Sequence, residues 1–366
     1  MTILCLHQSS ELYGSDRSFL QVVKYLRESR AFEKICVALP RQGPLVEELE
    51  KLQVEVIFLS MSLLSKTYLK TLQWGKIVFP LLQFRKKMKL MSSYDILYVN
   101  TSVILDFYAF APFLRNKKVL HIREIPSNWL GKILSYLIKR SNAYVIFNSF
   151  STQKSFAHFN RSVVIHNSFE GFFALPPQTW EDRSSGPLKI LLIGRINHWK
   201  GQDFAIEALS KLRAEPFLLR IVGSTFQGNE AILDELKNQV QQLQLSDKVE
   251  FIDFMANTQD IYQWADLVIV PSKKPEPFGR IAIEAMSLGK PVVAANHGGL
   301  PEIVDDKKSG FLFQPNDIQS FIDCIRSYLA NRDLLRHHGT KSLELFQERF
   351  STKKMNEKLD EIFKRL

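Results

Sequence analysis

Short apolar runs alternate with amphipathic helical patterns along most of the sequence. The segment SDRSFLQVVKYLRE, for example, places Phe19, Leu20, Val23 and Leu26 on one face of a helix. Apolar runs rich in β-branched residues stand between such segments and predict strands. In the first half they occupy residues 2–8, 34–40, 54–60, 95–101, 118–124, 143–149 and 162–168. Strand, helix and strand in repeating order predict a parallel sheet with helices on both faces.

The alternation is interrupted once, at residues 170–187. Two prolines, a Ser-Ser-Gly-Pro sequence and mixed charges there predict a linker between domains. The strand candidates then resume at residues 188–195, 218–223, 249–253, 267–272, 291–296 and 310–314. We therefore expect an α/β protein with two doubly wound, Rossmann-like domains, at residues 1–175 and 186–349. Ligands of such sheets bind at the carboxyl ends of the strands, so we expect the site in a cleft where the domains face each other.

Composition and charge indicate a folded protein with anionic partners. The 366 residues are 45% hydrophobic and 23% charged, and the formal net charge is +10. Excess positive charge favours phosphates, nucleic acid or anionic lipid as partners. Cys5, Cys36 and Cys324 lie singly inside apolar runs, which predicts reduced thiols in the core. Without a leader sequence or an apolar run of ~20 residues, we expect a protein that is soluble or lies on a membrane without crossing it.

The segment EPFGRIAIEAMSLGKP, residues 276–291, holds two carboxylates within a largely apolar sequence. Glu276 lies on the loop that leaves a predicted strand, and Glu284 lies in the predicted helix that follows. Phe278-Gly279 leads into that helix, whose N-terminal amides suit a phosphate. The spacing predicts that the two acids accept hydrogen bonds from hydroxyls on different parts of one extended ligand. The alternative is that Glu276 is a helix N-cap and Glu284 a surface acid.

Two further loops leave predicted strands with residues that suit an anionic ligand. In GRINHWKG, Arg195 and Lys200 flank the turn before a helix. This position favours a clamp on a diphosphate over two solvated surface charges. In NHGGLPEIV, the pair Gly298-Gly299 follows another strand and exposes backbone amides to an anionic or sugar-bearing ligand. Three such loops at the strand ends of one sheet predict a single binding site.

Together these loops resemble the family 4 retaining glycosyltransferases, also called group 1 glycosyltransferases, which have the GT-B fold. The shared features lie within residues 188–315: Gly-Arg followed by Lys-Gly, two glutamates separated by seven residues, and GGLPEIV followed by SGFLF. The resemblance implies that Arg195 and Lys200 hold the donor diphosphate. It implies that Glu276 contacts hydroxyls of the donor sugar and that Glu284 contacts the nucleotide ribose. Other residues of the same motifs are assigned to donor binding: Gly194, Phe278, Gly279, Arg280, Gly298 and Gly299.

The resemblance reaches the first domain at two positions. His121, in VLHIRE, matches a histidine that such enzymes place near the donor sugar, and a histidine satisfied in the core or at the surface is the alternative. Gly14, in ELYGSDRSF, matches a glycine-rich loop near the sugar and acceptor, although Ser15 stands where the family often has a second glycine. Asn296-His297 is also less typical before the Gly-Gly pair, so we expect a different sugar preference.

The reaction implied by the resemblance is retaining transfer of a hexosyl residue from a nucleotide-diphosphate sugar. The two cations and the helix amides would stabilise the departing phosphate. Asp305-Asp306 lies beyond the sugar loop, so no acidic pair stands where a metal ion would be needed, and we expect no metal and no other cofactor. A nucleotide-sugar epimerase of GT-B fold and a non-catalytic nucleotide-sugar or membrane-binding module remain alternatives. A NAD-dependent dehydrogenase is disfavoured because no G-x-G-x-x-G motif follows the first strand of either domain.

Two segments of the first domain, residues 66–90 and 115–140, combine basic and apolar residues. Each holds seven Lys or Arg, and such amphipathic segments suit an anionic membrane surface. Ordinary packed helices with outward lysines are the alternative. We expect a lipid-linked or membrane-associated glycan acceptor, as in surface polysaccharide or lipopolysaccharide assembly, and a cytoplasmic enzyme peripheral on the inner face of the cytoplasmic membrane. No nucleic-acid-binding module is recognised, and a charged amphipathic helix at 350–366 is expected to pack back on the first domain.

Overall fold

The computed structural model describes residues 1–64, 82–172, 186–225, 228–255 and 257–366. The chain divides into two compact units. The first unit comprises Met1–Ser168 with Met355–Leu366, and the second comprises Phe169–Lys354. Most of the predicted linker at 170–187, including the predicted domain limit at residue 175, lies outside the described residues.

The first unit contains a seven-stranded parallel sheet. Its strands are β1 (Thr2–Leu6), β2 (Lys34–Leu39), β3 (Glu55–Phe58), β4 (Ile96–Val99), β5 (Lys117–Ile122), β6 (Tyr144–Phe147) and β7 (Ser162–Val164). Their order in the sheet is β3-β2-β1-β4-β5-β6-β7. Ile3 of β1 is in register with Ile35 of β2 on one side and Ile96 of β4 on the other. The first strand lies inside this parallel sheet. Strands β2 and β3 extend the sheet on one side of β1 and strands β4 to β7 on the other, so the strand order reverses between β1 and β4.

Helices cover both faces of this sheet, which explains why its strands are largely apolar. Alternate residues of β1 belong to two hydrophobic clusters, Ile3 and Cys5 to one and Leu4 and Leu6 to the other. The helices of this unit span Gly14–Glu28, Pro44–Lys51, Phe84–Ser92, Leu105–Phe110, Asn128–Ser141, Phe150–Lys154 and Thr352–Arg365, with a 3-10 turn at Ala111–Phe113. All three cysteines of the chain are free and buried.

The last helix, Thr352–Arg365, supplies an apolar face to the core of the first unit. Four buried residues recur along it at helical spacing: Met355, Leu359, Ile362 and Phe363. On the same helix, Asp360 Oδ1 accepts a hydrogen bond from the Tyr25 hydroxyl at 2.7 Å. Burial and this hydrogen bond raise the pKa of Tyr25. The end of the chain is thus held by both apolar packing and a polar contact.

The second unit contains a six-stranded parallel sheet of order β10-β9-β8-β11-β12-β13. Its strands are β8 (Leu188–Ile193), β9 (Phe217–Val222), β10 (Val249–Ile252), β11 (Leu267–Val270), β12 (Val292–Ala295) and β13 (Gly310–Phe313). Its helices span Gln202–Ser210, Ala231–Gln242, Gln259–Trp264, Arg280–Ser287, Ile318–Ala330 and Asp333–Leu345, with a 3-10 turn at Leu300–Glu302 and a π-helix at Phe346–Phe350. In this sheet the strand order reverses between β8 and β11.

A buried ion pair lies inside the first unit. It shows that one lysine of the predicted basic segment 66–90 is not exposed. Lys87 belongs to that segment, yet its Nζ lies 2.7 Å from Asp106 Oδ1 and both side chains are 0% exposed. The Ser62 backbone N–H donates to the other oxygen of Asp106. Lys87 therefore ties its helix to the core and is not available to a membrane. Residues 65–81, which include most of the rest of this segment, lie outside the described residues.

The basic segment 115–140 likewise contains two cations that do not reach the surface. Lys118 and Arg123 are 8% and 7% exposed, and Lys118 Nζ donates to the carbonyl of Leu114 at 2.7 Å. The other five cations of this segment are exposed: Arg115, Lys117, Lys132, Lys139 and Arg140. None of the helices in the described part of the chain combines the length and apolar character needed to cross a bilayer.

Candidate functional site

The carboxyl ends of β8 and β11 meet where the second sheet reverses its strand order. Ligands of doubly wound sheets bind at such reversal points, because the loops of the two neighbouring strands diverge there. The loop after β8 begins with Gly194 and Arg195, and the loop after β11 contains Glu276. Both loops had been predicted as ligand-binding, and the topology places them next to each other.

Glu276 is a buried acid of this region, with 6% of its surface exposed. Its Oε1 accepts hydrogen bonds from Lys200 Nζ at 2.8 Å and from the Ser272 hydroxyl. Oε2 accepts no hydrogen bond from the described residues. The Lys200 ammonium also lies 4.6 Å from the centre of the Trp199 ring. The predicted diphosphate-binding lysine and the predicted sugar-binding acid are therefore in direct contact.

The helix that follows Glu276 rules out the alternative reading of the two acids. It begins at Arg280 with Gly279 at the N-cap, so Glu276 does not cap it. Glu284 is 7% exposed and is therefore not a surface acid. Its Oε2 accepts from the Tyr262 hydroxyl at 2.9 Å.

Glu284 is held on its other side by Arg280, another predicted donor-binding residue. Arg280 Nε donates to Glu284 Oε1 at 2.7 Å across one helical turn. The guanidinium carbon of Arg280 lies 5.4 Å from the centre of the Phe169 ring. These contacts fix the orientation of Glu284, and each of its oxygens retains a lone pair that a hydroxyl could donate to.

The Gly298-Gly299 pair packs against the loop that carries Glu276. A Cβ atom on Gly298 would lie 2.3 Å from the Glu276 carbonyl oxygen, and one on Gly299 would lie 2.7 Å from Phe278 Cα. The Gly299 N–H donates to the Glu276 carbonyl at 2.8 Å. We had expected the amides of this pair to face an anionic ligand. The Gly299 amide is instead satisfied inside the protein, and the glycines are required for the close approach of two backbones.

Phe278 is part of the core of the second unit. Its side chain is 2% exposed, and its ring meets that of Phe350 edge to face at a centroid distance of 6.0 Å. The phenylalanine thus anchors the loop that contains Glu276 to the hydrophobic core. Any contact of this position with a donor would therefore come from its backbone.

The turn between β8 and the next helix is shaped by its own side chains. Asn197 Oδ1 accepts from the backbone N–H of Trp199 and of Lys200, each at 3.1 Å. Gln202 Nε2 donates to the carbonyl of Arg195 at 3.1 Å, while Gln202 Oε1 is buried with no partner among the described residues. Gln202 was not among the predicted site residues, although it stands directly after Lys200-Gly201 in the sequence.

His297 lies beside Glu276 and supplies a neutral imidazole. Its Nε2 lies 2.7 Å from the carbonyl oxygen of Ser272, which can only accept a hydrogen bond, so Nε2 carries the proton. Burial lowers the pKa of His297 below its ordinary value. In the neutral ring Nδ1 is then an acceptor. The less typical Asn296-His297 sequence thus places a hydrogen-bonding group at this site.

The two predicted site residues of the first unit, His121 and Gly14, lie near the reversal point of its sheet. His121 is in β5 and is 1% exposed. Burial and, secondarily, the Arg123 guanidinium lower the pKa of His121 well below its ordinary value. Gly14 begins the helix Gly14–Glu28, and Asp16 of the same turn accepts from the Tyr13 N–H at 2.9 Å. A surface location for His121 is excluded.

Three residues that hydrogen bonds link to His121, directly or through one another, were not predicted as site residues: His7, Asn100 and Arg123. All three are buried. His7 directly follows β1 and Asn100 directly follows β4, the two strands between which the strand order reverses. That position could have identified both as candidate site residues. Arg123 had been counted only as part of a basic segment.

Within the part of the chain that the structure describes, no group of three or more His, Cys, Asp or Glu side chains is placed to hold a metal ion.

Part of the sequence matches a known family. Residues 179–344 match the sequence model of the family described as glycosyl transferases group 1. The D-inositol 3-phosphate glycosyltransferase of Mycolicibacterium smegmatis is 38% identical over 142 residues. This match covers 38% of the present chain and 32% of that relative, so the similarity spans about a third of the relative's length.

The fold is similar to those of solved structures along the entire chain. Anabaena Alr3699/HepE in complex with UDP and glucose gives a TM-score of 0.84 at 25% identity, with 100% of both chains covered. The same Anabaena protein in complex with UDP-glucose gives a TM-score of 0.83 at 26% identity. The lipopolysaccharide outer core galactosyltransferase WaaB gives a TM-score of 0.74 at 15% identity, a likeness of fold alone.

Proposed function

Because the second unit of this chain contains a group 1 glycosyltransferase domain and the chain has the GT-B fold, we propose that the protein transfers a hexosyl residue from a nucleoside-diphosphate sugar to a glycan acceptor. The predictions of the family and of the fold are thus confirmed. The observation that carries the proposed activity is the contact between Lys200 and Glu276 at the reversal point of the second sheet. A cation for the diphosphate and an acid for the sugar stand side by side there.

The donor is proposed to be a nucleoside-diphosphate hexose, with UDP as the first nucleotide to test. The Anabaena protein that is similar over the whole chain was solved with UDP and with UDP-glucose. In the present chain, Lys200 Nζ gives one of its three N–H groups to Glu276, which leaves two for phosphate oxygens. Glu276 Oε2 is assigned to a sugar hydroxyl, and Glu284 to the ribose.

The proposed mechanism is retaining transfer driven by positioning and electrostatics. The bond between the anomeric carbon and the β-phosphate oxygen breaks, and its electron pair goes to the phosphate. Lys200 and Arg195 stabilise that developing negative charge. The acceptor oxygen attacks from the same face of the sugar, and its proton passes to the leaving phosphate. The cations take the place that a metal ion has in other transferases, so we propose that no metal or other cofactor is required.

The proposed donor site predicts selective stabilisation by one class of nucleotide. We expect UDP to raise the unfolding temperature in a thermal denaturation assay, because a ligand that binds only the folded state stabilises it by mass action. At 100 times Kd the gain is about 2.7 kcal/mol. GDP, ADP, CMP and dTDP are the comparison ligands, and each is measured with and without EDTA.

The comparison ligands decide what a negative result with UDP means. A shift with one other nucleoside diphosphate would change the nucleotide but keep the site. Loss of the shift in EDTA would contradict metal independence. The absence of any shift would contradict the donor site itself. Product analysis with the stabilising donor then separates a transferase from an epimerase, since only the transferase lengthens an acceptor.

We further propose that the acceptor is lipid-linked or membrane-associated and that the first unit contacts an anionic membrane. Along the helix Asn128–Ser141, Trp129, Ile133 and Tyr136 recur on one side and are 63%, 49% and 61% exposed. Leu134 lies on the opposite side of the helix and is 1% exposed. Such a helix presents an apolar stripe outward as well as inward, which is unusual for an ordinary surface helix.

Charge and exposure both favour the first unit as the membrane-binding part. Of the eleven large hydrophobic side chains that are exposed among the described residues, ten lie in the first unit and only Phe254 lies in the second. Lys132, Lys139 and Arg140 are exposed on the same helix as the aromatic stripe. Aromatic side chains flanked by cations suit the headgroup region of an anionic bilayer. The proposed location is therefore the inner face of the cytoplasmic membrane.

Vesicle sedimentation checks the proposed membrane surface. We expect the protein to sediment with vesicles of phosphatidylglycerol and phosphatidylcholine, and much less with phosphatidylcholine alone. The double variant Trp129→Ser/Tyr136→Ser is expected to bind about 100-fold or more weakly, because each of the two aromatic rings contributes about 1.5–3 kcal/mol when buried and about 1.4 kcal/mol is a factor of ten.

The matched control is Phe58→Ser, which removes another exposed aromatic ring of the first unit, on strand β3. This variant is expected to sediment like the unmodified protein. Equal sedimentation of the double variant and the control would contradict the assignment of the membrane surface to this helix.

A further inference from the structure

A chain of buried polar side chains crosses the first unit at the reversal point of its sheet. It joins the end of β1, the end of β4, the strand β5 and the first turn of the helix Gly14–Glu28. Six residues form it, all at most 7% exposed: Asp16, His7, Asn100, Arg123, His121 and Tyr98. Buried polar groups of this kind are costly unless every member has a partner.

One arm of this chain runs from Arg123 to Asp16. Arg123 Nε donates to Asn100 Oδ1 at 2.8 Å. Asn100 Nδ2 lies 3.1 Å from His7 Nδ1, and His7 Nε2 lies 2.8 Å from Asp16 Oδ1. An arginine can only donate and a carboxylate can only accept. The direction of every hydrogen bond between them is therefore fixed, with His7 protonated at Nε2.

The other arm runs from Arg123 to His121. Arg123 Nη2 lies 3.3 Å from His121 Nδ1, and the Tyr98 hydroxyl lies 2.6 Å from the same nitrogen. Because the guanidinium can only donate, Nδ1 of His121 must accept, and the proton of the neutral ring lies on Nε2. Burial and the charge of Arg123 both lower the pKa of His121, which keeps this ring neutral.

Among these six hydrogen-bonded side chains, the Nε2–H group of His121 is the buried group that has no partner in the described residues. It is buried, and the described residues offer it no hydrogen-bond acceptor. A buried N–H donor without an acceptor is rare in folded proteins and marks a position where a ligand atom is to be expected. The ligand atom must be an acceptor, such as the oxygen of a sugar hydroxyl or carboxylate.

We propose that Arg123, Asn100 and His7 are positioning residues, which hold His121 as a neutral imidazole whose Nε2–H donates to an oxygen of the bound sugar. This inference rests on the proposed function, since it names the sugar as the ligand of His121. It also joins that histidine to the turn that contains Gly14, because Asp16 accepts from both His7 and the Tyr13 N–H. The three positioning residues act through His121 and need not touch the sugar.

Imidazole NMR spectra test this inference without any substrate. In protein labelled with ¹⁵N at histidine, we expect the His121 signals of the Nε2–H tautomer across the neutral pH range. In Asn100→Asp, the group facing His7 Nδ1 can no longer donate. We expect His7 to become protonated at Nδ1, with altered His121 signals and a kcat for sugar transfer at least roughly tenfold lower. Tyr98→Phe removes one donor to His121 Nδ1 with little change of shape and should lower kcat in the same direction.

Tyr328→Phe is the matched control. It deletes a buried tyrosine hydroxyl that also lies 2.7 Å from a histidine Nδ1, that of His338, in the second unit. We expect its kcat to stay unchanged. The nucleotide-induced stabilisation should also survive in Asn100→Asp and Tyr98→Phe, because the donor nucleotide binds the second unit.

Two results would overturn the inference. One is a His121 ring protonated at Nδ1 in the unmodified protein. The other is an Asn100→Asp protein whose His121 signals and kcat are both unchanged. If the unmodified protein transferred no sugar, the proposed function would be wrong, and a sugar could no longer be named as the ligand of His121. The spectra would still decide whether the buried chain sets the tautomer.

Discussion

Lys200→Ala is expected to lower kcat/KM for sugar transfer by about 10²- to 10³-fold, the loss typical of removing one preorganised group that stabilises transition-state charge. The ammonium of Lys200 would no longer stabilise the leaving phosphate. The carboxylate of Glu276, 6% exposed, would also lose the one ionic partner that the described residues give it. Initial rates with the donor identified by thermal stabilisation give the measurement. Lys274→Ala, an exposed lysine near Glu276, is the control and should transfer at the unmodified rate.

A double-mutant cycle separates the two roles of Lys200. If Lys200 acts only by holding Glu276, replacing it in a Glu276→Gln background should cost little more. If it also contacts the diphosphate, the second replacement should still lower the rate substantially. An unimpaired Lys200→Ala enzyme would contradict the assignment of this lysine to the donor site.

The fold could be predicted closely from the sequence because its strands are buried on both faces. A strand between two layers of helices is apolar at most positions, and such runs are easily separated from amphipathic helices. The run at 34–40 became Lys34–Leu39, and the run at 188–195 became Leu188–Ile193. The loops containing Lys200 and Glu276 were selected because they follow predicted strands, and the sheet order places those two strands next to each other.

The partners within the site could not be predicted, since they are distant in sequence. Lys200 and Glu276 are separated by 76 positions, and Tyr262 and Glu284 by 22. A motif indicates which loop carries a residue but not which side chain it contacts. The Gly298-Gly299 pair shows the same limit, since paired glycines in a sequence look alike whether they approach a ligand or another backbone.

Buried cations were the main error of the sequence analysis. Lys87, Lys118 and Arg123 were counted as surface charges because a lysine or arginine in an amphipathic segment is normally exposed. Each is buried through an acceptor that the local pattern does not reveal: Asp106 for Lys87, the Leu114 carbonyl for Lys118, and Asn100 for Arg123. One of these cations supports the proposed role of His121, and another holds two helices of the first unit together.

Lys87→Met is expected to reduce the free energy of unfolding of the first unit by about 3–5 kcal/mol, the cost of leaving one partner of a buried ion pair uncompensated. Methionine keeps the apolar length of the side chain but removes the ammonium that lies 2.7 Å from Asp106 Oδ1. Among the described residues, Asp106 would then keep only the backbone N–H of Ser62 as a hydrogen-bond donor. Urea denaturation followed by far-UV circular dichroism gives the change.

A matched control and a second-site change show whether the charge is responsible for this loss. Lys89→Met alters an exposed lysine of the same helix and should change stability by less than about 0.5 kcal/mol. Lys87→Met/Asp106→Asn removes both charges and leaves an amide oxygen to accept from Ser62, so it should regain a large part of the loss, as neutral replacements of buried pairs often do. If the double variant is less stable than Lys87→Met alone, the buried charge of Asp106 is not the source of the destabilisation, and lost packing around Lys87 is.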